Sequence, residues 1–107
     1  MAVLGETQFT PITSAVGDTT LVAAQGVGVK IRVLGFMLVA AAAAVVTFQS
    51  GTGGTALTGP MTLATGVAID ADVAPFGQFE TATNTLLNLH QTGAVQLSGW
   101  LLWTMVT

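Results

Sequence analysis

Short apolar runs, set apart by glycine, proline and small polar residues, recur along the whole chain at the spacing of a sheet protein. The pattern predicts strands over Thr19–Ala24, Val29–Val39, Val45–Ser50, Ala56–Leu63, Val67–Ala71, Gln78–Thr81, Thr85–Gln91 and Val95–Val106. Within the second, Ile31, Val33 and Gly35 alternate with Arg32, Leu34 and Phe36. Within the third, Val46 and Phe48 face one way and Val45, Thr47 and Gln49 the other. Leu87 and Leu89 oppose Asn88 and His90 in the same manner. Gly59-Pro60 interrupts the fourth, which marks an edge or a bulge because proline cannot donate to a ladder. Gly51–Thr55 reads as a turn, and Ala40–Ala44 is too short to nucleate a helix. About eight strands in one small chain predict an all-β, single-domain antiparallel β-sandwich, jelly-roll-like. Residues 1–18 read as an N-terminal arm and 19–107 as the sandwich domain.

The last strand departs from the rule. Its first half alternates, with Gln96 and Ser98 between Val95, Leu97 and Gly99. Its second half, Trp100, Leu101, Leu102, Trp103, Met105 and Val106, is apolar on both faces, whereas a strand with one wet face needs polar residues there. Something must cover the second face. A sister subunit is the favoured cover, since Trp and Met are enriched at interfaces. On that reading Trp100, Leu102, Trp103 and Met105 make subunit contacts. The alternative cover is the chain's own segment Met1–Ile12, which carries Phe9 and Ile12.

Charge sharpens the picture. Only seven of 107 residues are charged, two basic and five acidic, for a net charge of −3. A monomer of this mass exposes about 5,500 Å². That is about one charge per 800 Å², far below the roughly 25–35% charged surface of a free-standing domain. Either uncharged polar residues cover the faces, as 17 threonines permit, or partners bury them. Two basic residues cannot neutralise a row of phosphates, so nucleic-acid binding is disfavoured. Val33–Phe48 is an uncharged run of sixteen residues behind Lys30 and Arg32. It falls short of the ~20 residues of a membrane helix, has an alanine middle and β-branched ends, and reads as two strands joined near the alanines. Glu6 and the lack of a basic stretch speak against a signal peptide at the N-terminus.

The residues that could carry chemistry are few. The chain has no cysteine, which excludes disulfides and thiolate metal sites. His90 is the single histidine and reads as a solvated side chain beside Asn88, without a nucleophile or further metal ligands. Asp70, Asp72 and Glu80 lack the spacing of a calcium loop and read as surface acids. Gly51-Thr52-Gly53-Gly54-Thr55 is not followed by a lysine or a helix, so it reads as a hairpin turn rather than a phosphate loop. Lys30 and Arg32 share a strand face and read as a solvated pair within reach of Glu80 or of acids on a partner. No nucleophile–base pair can be named, so the expectation is a non-enzyme without cofactor or metal.

Lys30-Ile31-Arg32-Val33-Leu34, then Val46-Thr47-Phe48-Gln49-Ser50-Gly51 and Thr55-Ala56-Leu57-Thr58-Gly59-Pro60-Met61, resemble small virion proteins of tailed bacteriophages. Phe79-Glu80-Thr81, the pair Leu86 and Leu89, and Gly93-Ala94-Val95-Gln96-Leu97-Ser98-Gly99 continue the likeness, which spans residues 28–106. The resemblance implies a capsid decoration, or cement, protein: a compact β-sandwich or jelly roll that forms a homotrimer and clamps the major capsid protein from the capsid exterior. On this reading the N-terminal arm, Met1–Ile12 with Phe9 and Ile12, is the candidate contact with the capsid or a neighbour. Asn84 stands where a glycine is expected, and asparagine tolerates the same left-handed turn. Two other readings compete: a carbohydrate- or receptor-binding jelly roll of a fibre or tail using Trp100 as a sugar platform, and a membrane-inserted protein using Val33–Phe48.

Overall fold

In the computed structural model, which describes residues 6–107, ten strand segments form two five-stranded antiparallel sheets that pack as a β-sandwich. The segments are β1 (Gln8–Ser14), β2 (Asp18–Val22), β3 (Lys30–Ala40), β4 (Ala44–Ser50), β5 (Thr55–Ala56), β6 (Met61–Leu63), β7 (Ala68–Ala71), β8 (Phe79–Glu80), β9 (Leu87–Gln91) and β10 (Leu97–Val106). One sheet runs β1-β10-β3, with β7 and β8 both paired to the far side of β3. The other runs β2-β9-β4, with β5 and β6 both paired to β4. Taking β5–β6 and β7–β8 as two interrupted strands leaves eight, four per sheet. Early strands alternate between the sheets and late ones return beside them, which is jelly-roll connectivity.

Local chemistry explains the breaks. Gly59-Pro60 falls between β5 and β6, and Pro75 falls between β7 and β8. Ala41–Ala43 carries the chain from β3 in one sheet to β4 in the other, as two strands meeting near the alanines require. Among the described residues, no helix is long and apolar enough to cross a membrane. Asn84 has φ 49°, the one positive φ among the described non-glycine residues.

The core lies between the sheets. Ile12, Ile31, Val33, Phe36, Leu38, Leu97 and Leu101 of the first sheet meet Val46, Phe48, Leu63, Leu87 and Leu89 of the second. Phe48 bridges them, its ring centroid 4.9 Å from Phe36 and 5.2 Å from Phe79 in tilted contacts.

Two expectations need correction. Residues 8–14 are not part of a separate arm; they are β1, paired with β10 from Gln8↔Trp103 to Ser14↔Leu97. Pro11 hides this strand from pattern reading, yet a sheet edge tolerates it because the missing N–H is not needed by the ladder. Residues 1–5 of the expected arm lie outside the described residues. Second, Phe36 does not share a face with Arg32. Leu102 opposes Gly35 and Trp103 opposes Val33, so Leu34 is an extra residue that inverts the alternation. Phe36 thereby joins Ile31 and Val33 in the core.

Every sheet edge is guarded. Proline removes a donor from β1 and interrupts β5–β6 and β7–β8. The fourth edge, β2, is five residues long, begins at Asp18 and shifts register between Thr20 and Val22. Strand addition is therefore discouraged, and the faces are what the sandwich offers a partner.

Candidate interaction surface

Register decides which side chains share a face. On the first sheet, Ile12, Leu97, Leu101 and Trp103 point inward, so the residues between them point out. The outer face thus carries Phe9, Pro11 and Thr13 from β1, and Ser98, Trp100, Leu102, Thr104 and Val106 from β10. Met37 and Val39 of β3 complete it, with Arg32 and Lys30 toward one end. Phe9 is 64% exposed, whereas Trp100, Leu102, Met37 and Val39 are half-buried. Val73 packs close to Gly35, its Cγ2 lying 3.2 Å from where a Cβ on that glycine would stand, and is itself exposed. The result is a stretch of half-buried apolar positions, Met37, Val39, Trp100 and Leu102, with Val73 over Gly35 on one flank and Glu6 bonded to Thr104 at one end.

This face sorts the residues named from the sequence. Trp100 and Leu102 lie on it, and so does Phe9. Trp103 does not: it is buried, and its indole Nε1–H donates to Thr10 Oγ1 at 2.9 Å. Met105 packs half-buried against the core, and Ile12 is inside it. Trp103 and Ile12 are accordingly corrected from partner contacts to members of the sandwich's own interior, while Met105 is half-buried at its margin. The reason is the period of two: residues 100 and 102 share one parity, 103 and 105 the other. The doubly apolar strand therefore has one face filled by its own core and one left over. Of the alternative cover, residues 8–14 pair edge-on with β10, and Glu6 O accepts from Thr104 Oγ1 at one end of the outer face.

The two cations are spent at one end of this face. Arg32 Nε and Nη2 each lie 3.0 Å from Glu80 Oε2, and Lys30 Nζ lies 3.3 Å from Oε1. Arg32 and Glu80 are cross-strand neighbours on β3 and β8. Burial opposes ionisation of Glu80 and is the largest single influence. The hydrogen bonds from Arg32 and then Lys30 outweigh it together and hold the carboxyl below its ordinary 4.5. A carboxyl depressed on folding stabilises above its unfolded value and loses that stabilisation as pH falls through the folded one. The Glu80→Gln variant should therefore lose up to about 1 kcal/mol at neutral pH, the pair being part-exposed, and should show a flatter loss of Tm below about pH 4.5 than the parent. Thermal melts from pH 7 to 3 measure both.

The outer face of the second sheet is polar. Asp18 Oδ1 accepts from Asn88 Nδ2 and contacts His90 Nδ1, both at 2.9 Å, and Asn88 Nδ2 also donates to Gln49 Oε1. Gln49 Oε1 in turn accepts from Gly53 N–H and fixes the glycine turn. His90 is thus a hydrogen-bonding neighbour of Asp18, a pairing invisible in the sequence because 72 positions separate them. The Asn88 hydrogen bond, then the His90 one, lower the Asp18 carboxyl from its ordinary value. Asn88 is fully buried, and its Oδ1 is the one buried side-chain polar atom without a partner among the described residues. Asn88→Asp replaces the donor with a second acid against Asp18 and Gln49. It should cost about 2–3 kcal/mol at pH 7, and the deficit should shrink on acidification, as urea titrations at pH 7 and pH 4 would show.

Among the described residues there is no pocket and no group of three or more metal-ligating side chains. Asp70 sits on β7 opposite Met37, and Asp72 follows the strand; neither has a cation partner among the described residues. The accessible surface is 5272 Å², so the seven charges are as thinly spread as the sequence implies. No protein family, curated protein or solved structure was found to match the chain.

Proposed function

We propose that this is a structural assembly protein: a homotrimeric capsid decoration protein that binds the major capsid protein on the exterior of a tailed-bacteriophage virion and reinforces capsomer contacts. The observation that carries the reading is the row of apolar side chains Met37, Trp100 and Leu102 turned away from the core on the outer face, part-exposed among the described residues, on a sandwich whose edges are guarded. A patch of that kind on a small domain marks an association surface. Scarce charge suits a protein whose faces lie against others, and jelly-roll connectivity recurs among capsid domains. The virion assignment itself rests on the sequence resemblance. The protein acts by burial, not by catalysis.

Sedimentation equilibrium at micromolar concentration is expected to give three times the 10.8 kDa chain mass. A stable monomer would defeat the trimer. Purified virions should carry the protein in fixed ratio to the capsid protein, and virions lacking it would defeat the capsid role.

One observation favours a second reading. Trp100 is only half-buried, so its indole could serve as a sugar platform on a fibre or tail module. Glycan-array binding that disappears in Trp100→Ala would select this reading.

A further inference from the structure

The outer face of the first sheet has two different flanks, and each ends in an exposed phenylalanine. Phe9 stands on β1, 64% exposed. Phe76 stands beyond the opposite edge, in the segment between β7 and β8, 90% exposed. The Phe76 segment is built, not loose. Gly77 N–H donates to Ala74 O at 2.9 Å, closing a turn in which Pro75 fixes one dihedral and Gly77 takes φ 89°. Ala74 N–H donates to Leu34 O at 2.9 Å and Gln78 N–H to Val33 O at 2.7 Å, clamping both ends of the turn to β3. Gln78 Nε2 donates to Asp72 O at 2.8 Å. An aromatic ring held almost wholly in water by four hydrogen bonds is the form of an interface anchor.

The two flanks also match in height. The Phe76 turn is fastened beside Val33 and Leu34, while Phe9 opposes Leu102, which opposes Gly35. Along the strand direction they lie within about two residues, roughly 7 Å. A head-to-tail contact closes into a ring only when its complementary patches meet without a step along the axis; otherwise it propagates as a filament. Charge agrees with the same pairing. Glu6 O accepts from Thr104 Oγ1, and Thr104 opposes Arg32, so Glu6 lies on the β1 flank at the level of the Lys30–Arg32–Glu80 cluster. That cluster has a net charge of +1 and Glu6 of −1.

Resting on the trimer proposed above, we infer that the copies join head to tail through opposite flanks of this one face, with Phe76 of each copy seated on Phe9 and Pro11 of the next. The strands run along the three-fold axis, and Trp100, Met37 and Leu102 lie nearest to it. The contact is heterologous: each copy gives Phe76 to one neighbour and receives Phe76 from the other.

Engineered disulfides test the geometry, because the chain has no cysteine of its own. Phe9→Cys/Phe76→Cys should yield covalent dimers and closed trimers on mild oxidation, read on a non-reducing gel, and neither single variant should cross-link. Disulfide dimers from Phe76→Cys alone would mean a two-fold contact and overturn the inference. As an independent measure, Phe76→Asp should weaken trimers at least 100-fold by native mass spectrometry, with the circular dichroism of a folded sheet protein retained because the exposed ring is no part of the core. Wild-type trimers that persist unchanged in Phe76→Asp would overturn the flank contact while leaving the trimer intact. A monomeric wild-type protein would overturn both.

Discussion

Gly99→Ala is expected to destabilise the fold by roughly 2–6 kcal/mol. Gly99 lies in the middle of β10, opposite Leu38 of β3 and Ile12 of β1, with φ 152°. A Cβ there would stand 1.8 Å from Met37 O and 2.8 Å from its carbonyl carbon. Those are backbone atoms of the neighbouring strand, so no side-chain rotation relieves the clash. The strands must separate, and β10–β3 is the central pairing of its sheet. Overpacking of about 1–3 kcal/mol and backbone strain of about 1–3 kcal/mol add to roughly 2–6 kcal/mol. A domain of this size has only about 5–15 kcal/mol of stability to lose. Gly93→Ala is the control: nothing lies within 4 Å of its added Cβ. Urea unfolding should show a large fall in midpoint for the first variant and almost none for the second. Equal midpoints would contradict the close approach of β10 to β3.

The double variant Trp100→Ser/Leu102→Ser is expected to leave a folded monomer. Both side chains are on the outer face and only half-buried, so the core keeps its packing. Each loses apolar burial of about 1.5–3 kcal/mol wherever a partner covers it fully. Repeated around a trimer, that loss exceeds what a moderate interface can bear. Size-exclusion chromatography with light scattering would show the mass fall to that of one chain, and circular dichroism would remain that of a sheet protein. A variant that stays trimeric would place the subunit contacts elsewhere. Trp103 offers the contrast, since its truncation acts on the core and on the Thr10 hydrogen bond and should lower Tm first.

Much of this molecule is legible from spacing. The strands at Val45–Ser50 and Thr85–Gln91 are visible because a clean alternation meets glycine turns, and β4 and β9 stand there with Val46, Phe48, Leu87 and Leu89 inside. The break at Gly59-Pro60 is visible because proline cannot join a ladder. β1 is not visible, since Pro11 and the threonines disguise it as a loop. The interaction surface is half visible. Trp100, Leu102, Trp103 and Met105 form one apolar cluster in sequence, and parity divides it between interior and exterior. Phe76 gives no signal at all beyond its position between proline and glycine. The Asp18–His90 and Lys30–Glu80 pairs join residues 72 and 50 positions apart.

By itself, then, the sequence determined an all-β chain with its breaks, its cysteine-free chemistry, its thin charge and its surplus of apolar residues in the last strand. These follow from local properties: dihedral preferences, side-chain period and the missing N–H of proline. Only the tertiary structure decided which strands are neighbours, that Leu34 bulges and turns Phe36 inward, and which tryptophan remains outside. Those outcomes depend on register between segments distant in the chain, and register is set by the packing of the whole core, which no local window contains.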